Sequence, residues 1–250
     1  MSRYLCVTCE VFARPLYSIA AASPNVIDIQ LMPRSLHDEP TRMRAKLQKK
    51  IDFMEDRGYE AVLFGYGLCG NGTVGLQARN VPIVIPRVHD CIAMLLGNPA
   101  RYTEEMTKTP GTYWYTQDFA ERVDENNRFA SLGPIPDEEL ARQYETFLIH
   151  YGRENADYLM ETLGSWQQRY QRAAFIDLGL LSPNGYKDSL NSDADRRGWA
   201  FEMLAGDLSI LRGLLDGEWL KKDPKHYIVI PPGHTLDITY DKQVFRCTPG

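Results

Sequence analysis

Short apolar runs, separated by segments with a helical period, organise the first part of the chain. Tyr4 to Val7, Val26 to Leu31, Glu60 to Phe64 and Val81 to Pro86 read as strands. The second alternates and the third is a continuous apolar run, as a strand buried on both faces is. Glu10 to Ala22 reads as a helix, with Pro15 near its first turn, where proline is tolerated. Thr41 to Arg57 reads as a stronger one, because Met43, Leu47, Ile51 and Met54 recur at helical spacing and Gly58 closes it. Ser23-Pro24-Asn25 is a breaker and Pro33 to Pro40 a loop, while Thr73 to Ala78 and Asp90 to Leu96 read as short helices.

The second part is less regular. Pro110 to Thr116 is aromatic and β-prone, Asp118 to Pro136 is polar and loop-rich, and Asp137 to Tyr151 and Glu154 to Gln171 read as two helices around Gly152. Ala174 to Asp177 is a strand, Ser182 to Asp195 a polar loop, and Trp199, Met203 and Leu204 suggest a helix. Asp207 to Leu215 is a short helix, and Tyr227 to Ile230 the last clear strand. Strands alternating with helices at these spacings predict an α/β fold of mostly parallel sheets with helices on both faces.

Two stretches echo earlier ones. Phe64 to Leu68 is similar to Ile176 to Leu180, and Ile83 to His89 to Ile228 to His234. They suggest two related halves, an N-terminal α/β half over 1–117 carrying the cysteines and a C-terminal α/β half over 118–250 with a helical insertion, with the site in the cleft between them.

Charge and composition narrow the function. The 250 residues carry a net charge of −5 and show no basic cluster, which argues against nucleic acid as partner. No apolar run reaches the length of a membrane span. The N-terminus runs straight into a strand without a signal-type cleavage site, so a cytoplasmic location is expected. There, five cysteines are expected to be reduced, metal-bound or catalytic rather than disulfide-paired.

The candidate chemistry centres on Gly65 to Gly72, four glycines in eight residues around Cys69. It is neither a Walker loop nor a G-x-G-x-x-G fingerprint. In parallel sheets ligands sit beyond the carboxyl ends of the strands. Cys9, Cys69 and the group His89-Asp90-Cys91 each follow a strand, so three loops would bring three thiols to one edge. Gly67, Gly70, Asn71 and Gly72 would then approach a bound group through their backbone.

These motifs, with Leu36-His37-Asp38, Pro86 to Cys91, Pro110-Gly111-Thr112-Tyr113, Gly206 to Trp219 and Pro231 to His234, resemble the DUF1638 family. Members are often found in anaerobes, near genes for corrinoid-dependent methyl transfer and one-carbon metabolism. The resemblance therefore implies a role in methyl-group chemistry, with a corrinoid protein or methyltransferase as partner. Cys9, Cys69 and Cys91 match the family's cysteine-bearing motifs; Cys6 and Cys247 are not carried over.

Three readings follow. The first is a metal site held by Cys9, Cys69 and Cys91, with His89 as a fourth ligand or proton shuttle, either zinc or a [4Fe–4S] cluster with an open iron corner, acting on a small-molecule substrate. Arg87 would position the substrate and Asp90 would take part in catalysis. The second is a metal-free enzyme with Cys69 as nucleophile and His89 as base, oriented by Asp90 or Asp177, and with the Cys91 thiolate favoured by a helix N-terminus. The third is a binding module for a small molecule or corrinoid, with Arg87 and the aromatic run around Tyr113 lining its pocket. His37 and His234 are further candidates, and core packing is the alternative for Tyr113 and for the cysteines.

Overall fold

The apolar runs of the first part become the middle of one sheet. The computed structural model describes residues 1–53, 57–121, 137–167, 170–181, 186–221 and 225–250. In chain order it contains β1 (Arg3–Cys9), α1 (Ala13–Ala22), β2 (Val26–Met32), α2 (Pro40–Asp52), β3 (Ala61–Gly65), β4 (Ile83–Pro86), α3 (Cys91–Leu95) and α4 (Pro99–Lys108). There follow β5 (Thr112–Tyr115), α5 (Gln117–Glu121), α6 (Asp137–Gln167), β6 (Arg172–Asp177), α7 (Tyr186–Arg197) and β7 (Ala200–Ala205). The chain closes with α8 (Ser209–Asp216), β8 (Tyr227–Ile230), β9 (His234–Ile238) and β10 (Phe245–Pro249). Among the described residues no helix is long and apolar enough to cross a membrane.

Two compact units result. The first comprises 1–102, 178–180 and 205–250, the second 103–177 and 181–204. This division is discontinuous, where the sequence suggested a single cut after residue 117. In the first unit the strand order is β2-β1-β3-β4-β8. β1 to β4 are mutually parallel, and β8 pairs antiparallel with β4 at one edge. A two-stranded hairpin, β9-β10, completes the unit.

Alternation along the strands sorts the core into two layers. Leu5, Val7, Val62, Phe64, Ile83 and Ile85 share one apolar cluster with Met43, Leu47 and Ile51 of α2. Each of these fully buried side chains contributes about 2 kcal/mol of burial. Pro40 occupies the first turn of α2, where its missing N–H costs nothing. α1 and α8 pack together on the other layer, with α8 against β3 and β4. There the Tyr4 ring meets Trp219 edge-on, at 5.4 Å between centroids. Gly217, at φ +84°, ends α8 in the left-handed conformation that glycine adopts without strain.

The second unit holds the sheet β5-β6-β7, with β5 and β6 parallel. Its core is aromatic, with Tyr113 stacked on Trp199 at 5.6 Å and edge-on to Tyr170 at 5.3 Å. Buried Arg172 anchors it, donating to Glu105 at 2.6 Å, Glu202 at 2.7 Å and Thr112 at 2.9 Å. α6 is broken at Gly152, φ +75°, where the sequence separates two helices.

Several elements differ from the sequence reading. Residues 73–78 are not a helix; they run beside β9, with Gly75 N donating to Leu236 O and Ala78 N to His234 O. The polar stretch that reads as a loop contains α7, whose Asp193 pairs with Arg196 and Arg197 one turn on. The segment 200–205 is a strand, β7, because Gly198 (φ +71°) stops α7 and redirects the chain. Two strands follow β8. The apolar runs around Ile83 and Ile228, which echo one another, lie side by side and antiparallel in one sheet, both within the first unit. Of the segment 118–136, α5 accounts for the start and 122–136 lie outside the described residues.

Candidate functional site

The order β2-β1-β3-β4 reverses direction between β1 and β3. At such a switch point the loops leave the sheet to opposite sides and open a crevice at the carboxyl ends of the strands. Cys9 ends β1, Cys69 lies in the loop after β3, and Cys91 opens α3 after β4. All three belong to the first unit. They are half-buried, and Cys9 bears electrostatically on Cys69, and Cys69 and Cys9 on Cys91.

Close approach explains the glycines. A Cβ on Gly65 would overlap the buried Thr8 hydroxyl of β1, which donates to Gly65 O at 3.2 Å. A Cβ on Gly67 would lie 2.6 Å from Val88 O and 3.0 Å from Asp90 N. The absent side chain lets Leu68 N donate to Val88 O at 3.0 Å and Cys69 N to His89 O at 2.9 Å, stitching the β3 loop to the β4 loop. Thr73, fully buried, fixes the loop from below by donating to Gly67 O at 3.0 Å.

The turn itself is strained. Cys69, Gly70 and Asn71 all have positive φ, at 45°, 62° and 69°, and Gly72 N closes onto Cys69 O at 3.1 Å. Positive φ at both central residues is the mark of a type I′ turn. A non-glycine residue such as Cys69 held there is a form of strain that concentrates at functional sites. Gly70 and Asn71 are exposed, and Gly72 is buried against Met43.

Burial dominates the electrostatics. It pushes the Cys69 thiol up to about 12, opposed by a hydrogen bond from the Gly67 backbone and reinforced by Cys9 and Asp90. The Cys91 thiol is pushed well above its ordinary value, by burial first and then by Asp90, Cys69 and Cys9. This corrects the expectation of a thiolate favoured by the N-terminus of α3. That helix has five residues, its N-cap is a carboxylate, and the surrounding protein removes the water a thiolate needs.

Tyr66, between Gly65 and Gly67, is 4% exposed, and its buried hydroxyl oxygen has no hydrogen-bond partner among the described residues. Burial, then Cys9, Cys69 and Glu10, hold this phenol protonated. It is an orphan donor set among the thiols. Glu10, next after Cys9, accepts from Arg34 N at 3.0 Å, so the segment after β2 joins the same edge. Sequence reasoning passed over Tyr66 and Glu10, although both stand beside a strand-end residue it had singled out.

The remaining candidates take other positions. Asp90 is committed: one oxygen caps α3 at Ala93 N, 3.0 Å, and the other accepts from Tyr102 at 2.7 Å. Arg87 donates to the backbone oxygens of Tyr227, Gln243 and Phe245, on β8 and at β10, and not to the thiols. The His89 side chain is exposed, and its backbone oxygen carries the contact to Cys69. Tyr113 is 1% exposed in the aromatic core of the second unit, so packing explains it better than a cofactor contact. Asp177 closes β6 in that unit. His37, on the 3-10 turn Arg34–Asp38, pairs with Arg34 O, and its own carbonyl oxygen lies near Gly70. His234 opens β9 and pairs with Pro232 O. Cys6 is fully buried within β1, three residues from Cys9 and so on the opposite face of the sheet.

Among the described residues no group of three or more His, Cys, Asp and Glu side chains stands in an arrangement that would hold a metal ion. The same edge of the sheet carries the three cysteines, a Gly67 backbone hydrogen bond to Cys69 and the Tyr66 hydroxyl. No curated protein and no solved structure matches the chain. The family described as Protein of unknown function (DUF1638) matches over residues 31–215. The match takes in Cys69, Cys91 and the glycine loop, and leaves out Cys9 and the strands after α8. A match of this extent shows that the chain belongs to the DUF1638 family.

Proposed function

We propose that Cys9, Cys69 and Cys91 close on a metal centre, zinc or a [4Fe–4S] cluster, at the switch point of the parallel sheet. The observation that carries this reading is the convergence of three thiols from three strand ends on one crevice, with the Tyr66 hydroxyl unpartnered among them. Burial first, and the neighbouring acidic groups after it, push the Cys69 and Cys91 thiols up, so a cation is the natural means of deprotonating them. The reading requires the β3 loop to draw in towards Cys9 and Cys91. The exposed turn at Gly70-Asn71 is the segment that would move.

When bound, such a centre would supply Lewis acidity or an open iron at its free position. The residues around it have separate parts. Gly67 N–H steadies the Cys69 sulfur, Tyr66 donates to a substrate atom or a sulfur, and exposed His89 is placed at the rim as a proton carrier. Asp90 and Arg87 hold the loops and do not touch substrate. The substrate class follows the family resemblance: a small molecule in one-carbon or methyl-group metabolism, with a corrinoid protein or methyltransferase as partner.

The metal-free alternative, Cys69 as nucleophile, needs a lowered thiol pKa. Burial drives it the other way. The deciding experiment is anaerobic reconstitution with zinc, or with iron and sulfide, of wild type and of single Cys→Ser variants. Cys9→Ser, Cys69→Ser and Cys91→Ser should each lose bound metal, while Cys6→Ser and Cys247→Ser retain it. Equal retention in all five variants would refute the site.

A further inference from the structure

The five-stranded sheet of the first unit ends in β8 on one side and β2 on the other. The β8 edge is covered: β10 packs beside it, and Arg87 Nε donates to the outward Tyr227 O at 3.1 Å. The β2 edge has no such cover among the described residues.

β2 is seven residues long and lies in unbroken parallel register with β1, from Val26 opposite Arg3 to Met32 opposite Cys9. Val26 N donates to Ser2 O. In a parallel ladder each residue turns both backbone groups to one side and the sides alternate, so Val26, Asp28 and Gln30 face β1 while Ile27, Ile29 and Leu31 face outward. Among the described residues nothing bonds to the N–H or C=O of those three. Native proteins blunt an edge of this length with proline, lysine or a bulge. β2 contains none of them. Val26 is 39% exposed and Ile27 to Leu31 are half-buried, so apolar surface lies beside the bare backbone.

β2 is also complementary to itself. A twofold axis through Ile29, its middle residue, would lay a second β2 antiparallel beside the first. Ile29 then meets Ile29 of the second copy, Ile27 meets Leu31, and Val26 meets Met32, so apolar faces apolar along the ladder. The outward residues form the hydrogen-bonded pairs, with two main-chain bonds at each. Asp28, the one charged residue of the strand, falls opposite Gln30, and its carboxylate is already held by Tyr59 at 2.6 Å and Arg3 at 2.8 Å. An axis through Asp28 would instead set two carboxylates face to face, which is destabilising. An axis farther from the centre shortens the ladder.

We infer that the chain forms a twofold dimer through the β2 edge, joining the sheets of two copies into one continuous sheet. A second copy is the occupant because the register that pairs every residue of β2, with no like charges opposed, is the one a closed twofold dimer supplies. The inference does not rest on the metal reading: β2 holds no cysteine, and the pairing needs no metal.

The test is sedimentation equilibrium of the full chain across a wide range of concentration, with amide exchange measured at both ends of that range. A reversible monomer–dimer equilibrium is expected, with exchange at Ile27, Ile29 and Leu31 slowing as dimer forms. Ile29→Pro deletes the outward N–H of the central pair in both copies, at a position where an edge strand tolerates proline, and should weaken the dimer about thirtyfold. Ile29→Lys sets two like charges opposite each other and should weaken it about tenfold. A chain that is monomeric at every concentration would overturn the inference, as would a dimer that both folded variants leave unchanged. Slow exchange at the three amides in dilute monomer would show the edge to be covered within the chain itself, and would overturn it too. Should neither variant fold, exchange in the wild type decides: slowing with concentration at Ile27, Ile29 and Leu31 supports the edge pairing, and unchanged exchange there refutes it.

Discussion

Gly67→Ala should cost more than Gly70→Ala, three residues further along the cysteine loop. Its Cβ would lie 2.6 Å from Val88 O, 2.9 Å from Val88 Cγ2 and 3.0 Å from Asp90 N. Two of these atoms are backbone and have no rotamer to escape into, so the β3 and β4 loops must part by a sizeable fraction of an ångström. Parting strains the bonds from Leu68 N to Val88 O and from Cys69 N to His89 O, each worth about 1 kcal/mol. Overpacking of this kind costs about 1–3 kcal/mol. Gly70→Ala is the matched control. Its nearest outside atom would be 3.9 Å away, so only the positive φ of 62° is paid for, about 1 kcal/mol. Urea unfolding of both variants, followed by near-UV circular dichroism, measures the difference. Gly67→Ala should be the less stable and should also bind metal more weakly, because Cys69 is displaced from Cys91. If Gly67→Ala proves as stable as Gly70→Ala, the close docking of the two loops is not what the glycine is for.

Three further outcomes follow from the same geometry. In metal-free protein at pH 8, alkylation of Cys69 should run about 1000-fold slower than that of an ordinary thiol, because its pKa is pushed up to about 12; fast labelling near pH 7 would favour the nucleophile reading. Arg172→Met leaves Glu105 and Glu202 without their shared cation, and should lower stability by roughly 3 kcal/mol in thermal unfolding; a neutral effect would mean the two carboxylates find other partners. The Asp28 carboxyl is held below its usual range by the Tyr59 hydroxyl first and Arg3 second. A depressed carboxyl contributes stability above its unfolded pKa of about 4 and loses it as pH falls through the lower folded value. Tyr59→Phe should therefore be destabilising at pH 7 and lose that penalty below pH 4, as read from urea midpoints across pH; a penalty independent of pH would point to packing instead.

The parallel core was legible because its signals are local and mutually consistent. The apolar runs that form β1 to β4, the helical period of α2 and the Gly152 break in α6 each follow from a few neighbouring residues. The shared edge of Cys9, Cys69 and Cys91 could be read because strand ends in a parallel sheet point one way. What escaped the reading depends on distant partners. Residues 186–197 look like a polar loop because, among the described side chains of that helix, only Ala194 is fully buried, while its ion pairs are read only once the helical period is assumed. β9 and β10 carry mixed polar patterns because one is held by Leu76 and Ala78, far away in sequence. The two β-rich runs that resemble a repeat are similar because both are buried strands of one sheet. Arg87 looked like a substrate ligand beside His89, yet three backbone oxygens near the end of the chain claim it. Tyr66 gave no pattern at all; its orphan hydroxyl is visible only with its neighbours in place.

The most direct test of the central claim is metal and acid-labile sulfide analysis, with an absorption spectrum, of protein purified without oxygen. The account predicts about one zinc per chain without colour, or iron and sulfide with broad absorption near about 400 nm, and in either case loss of the signal in Cys69→Ser. Protein that stays free of metal, even after anaerobic reconstitution with zinc or with iron and sulfide, would contradict it.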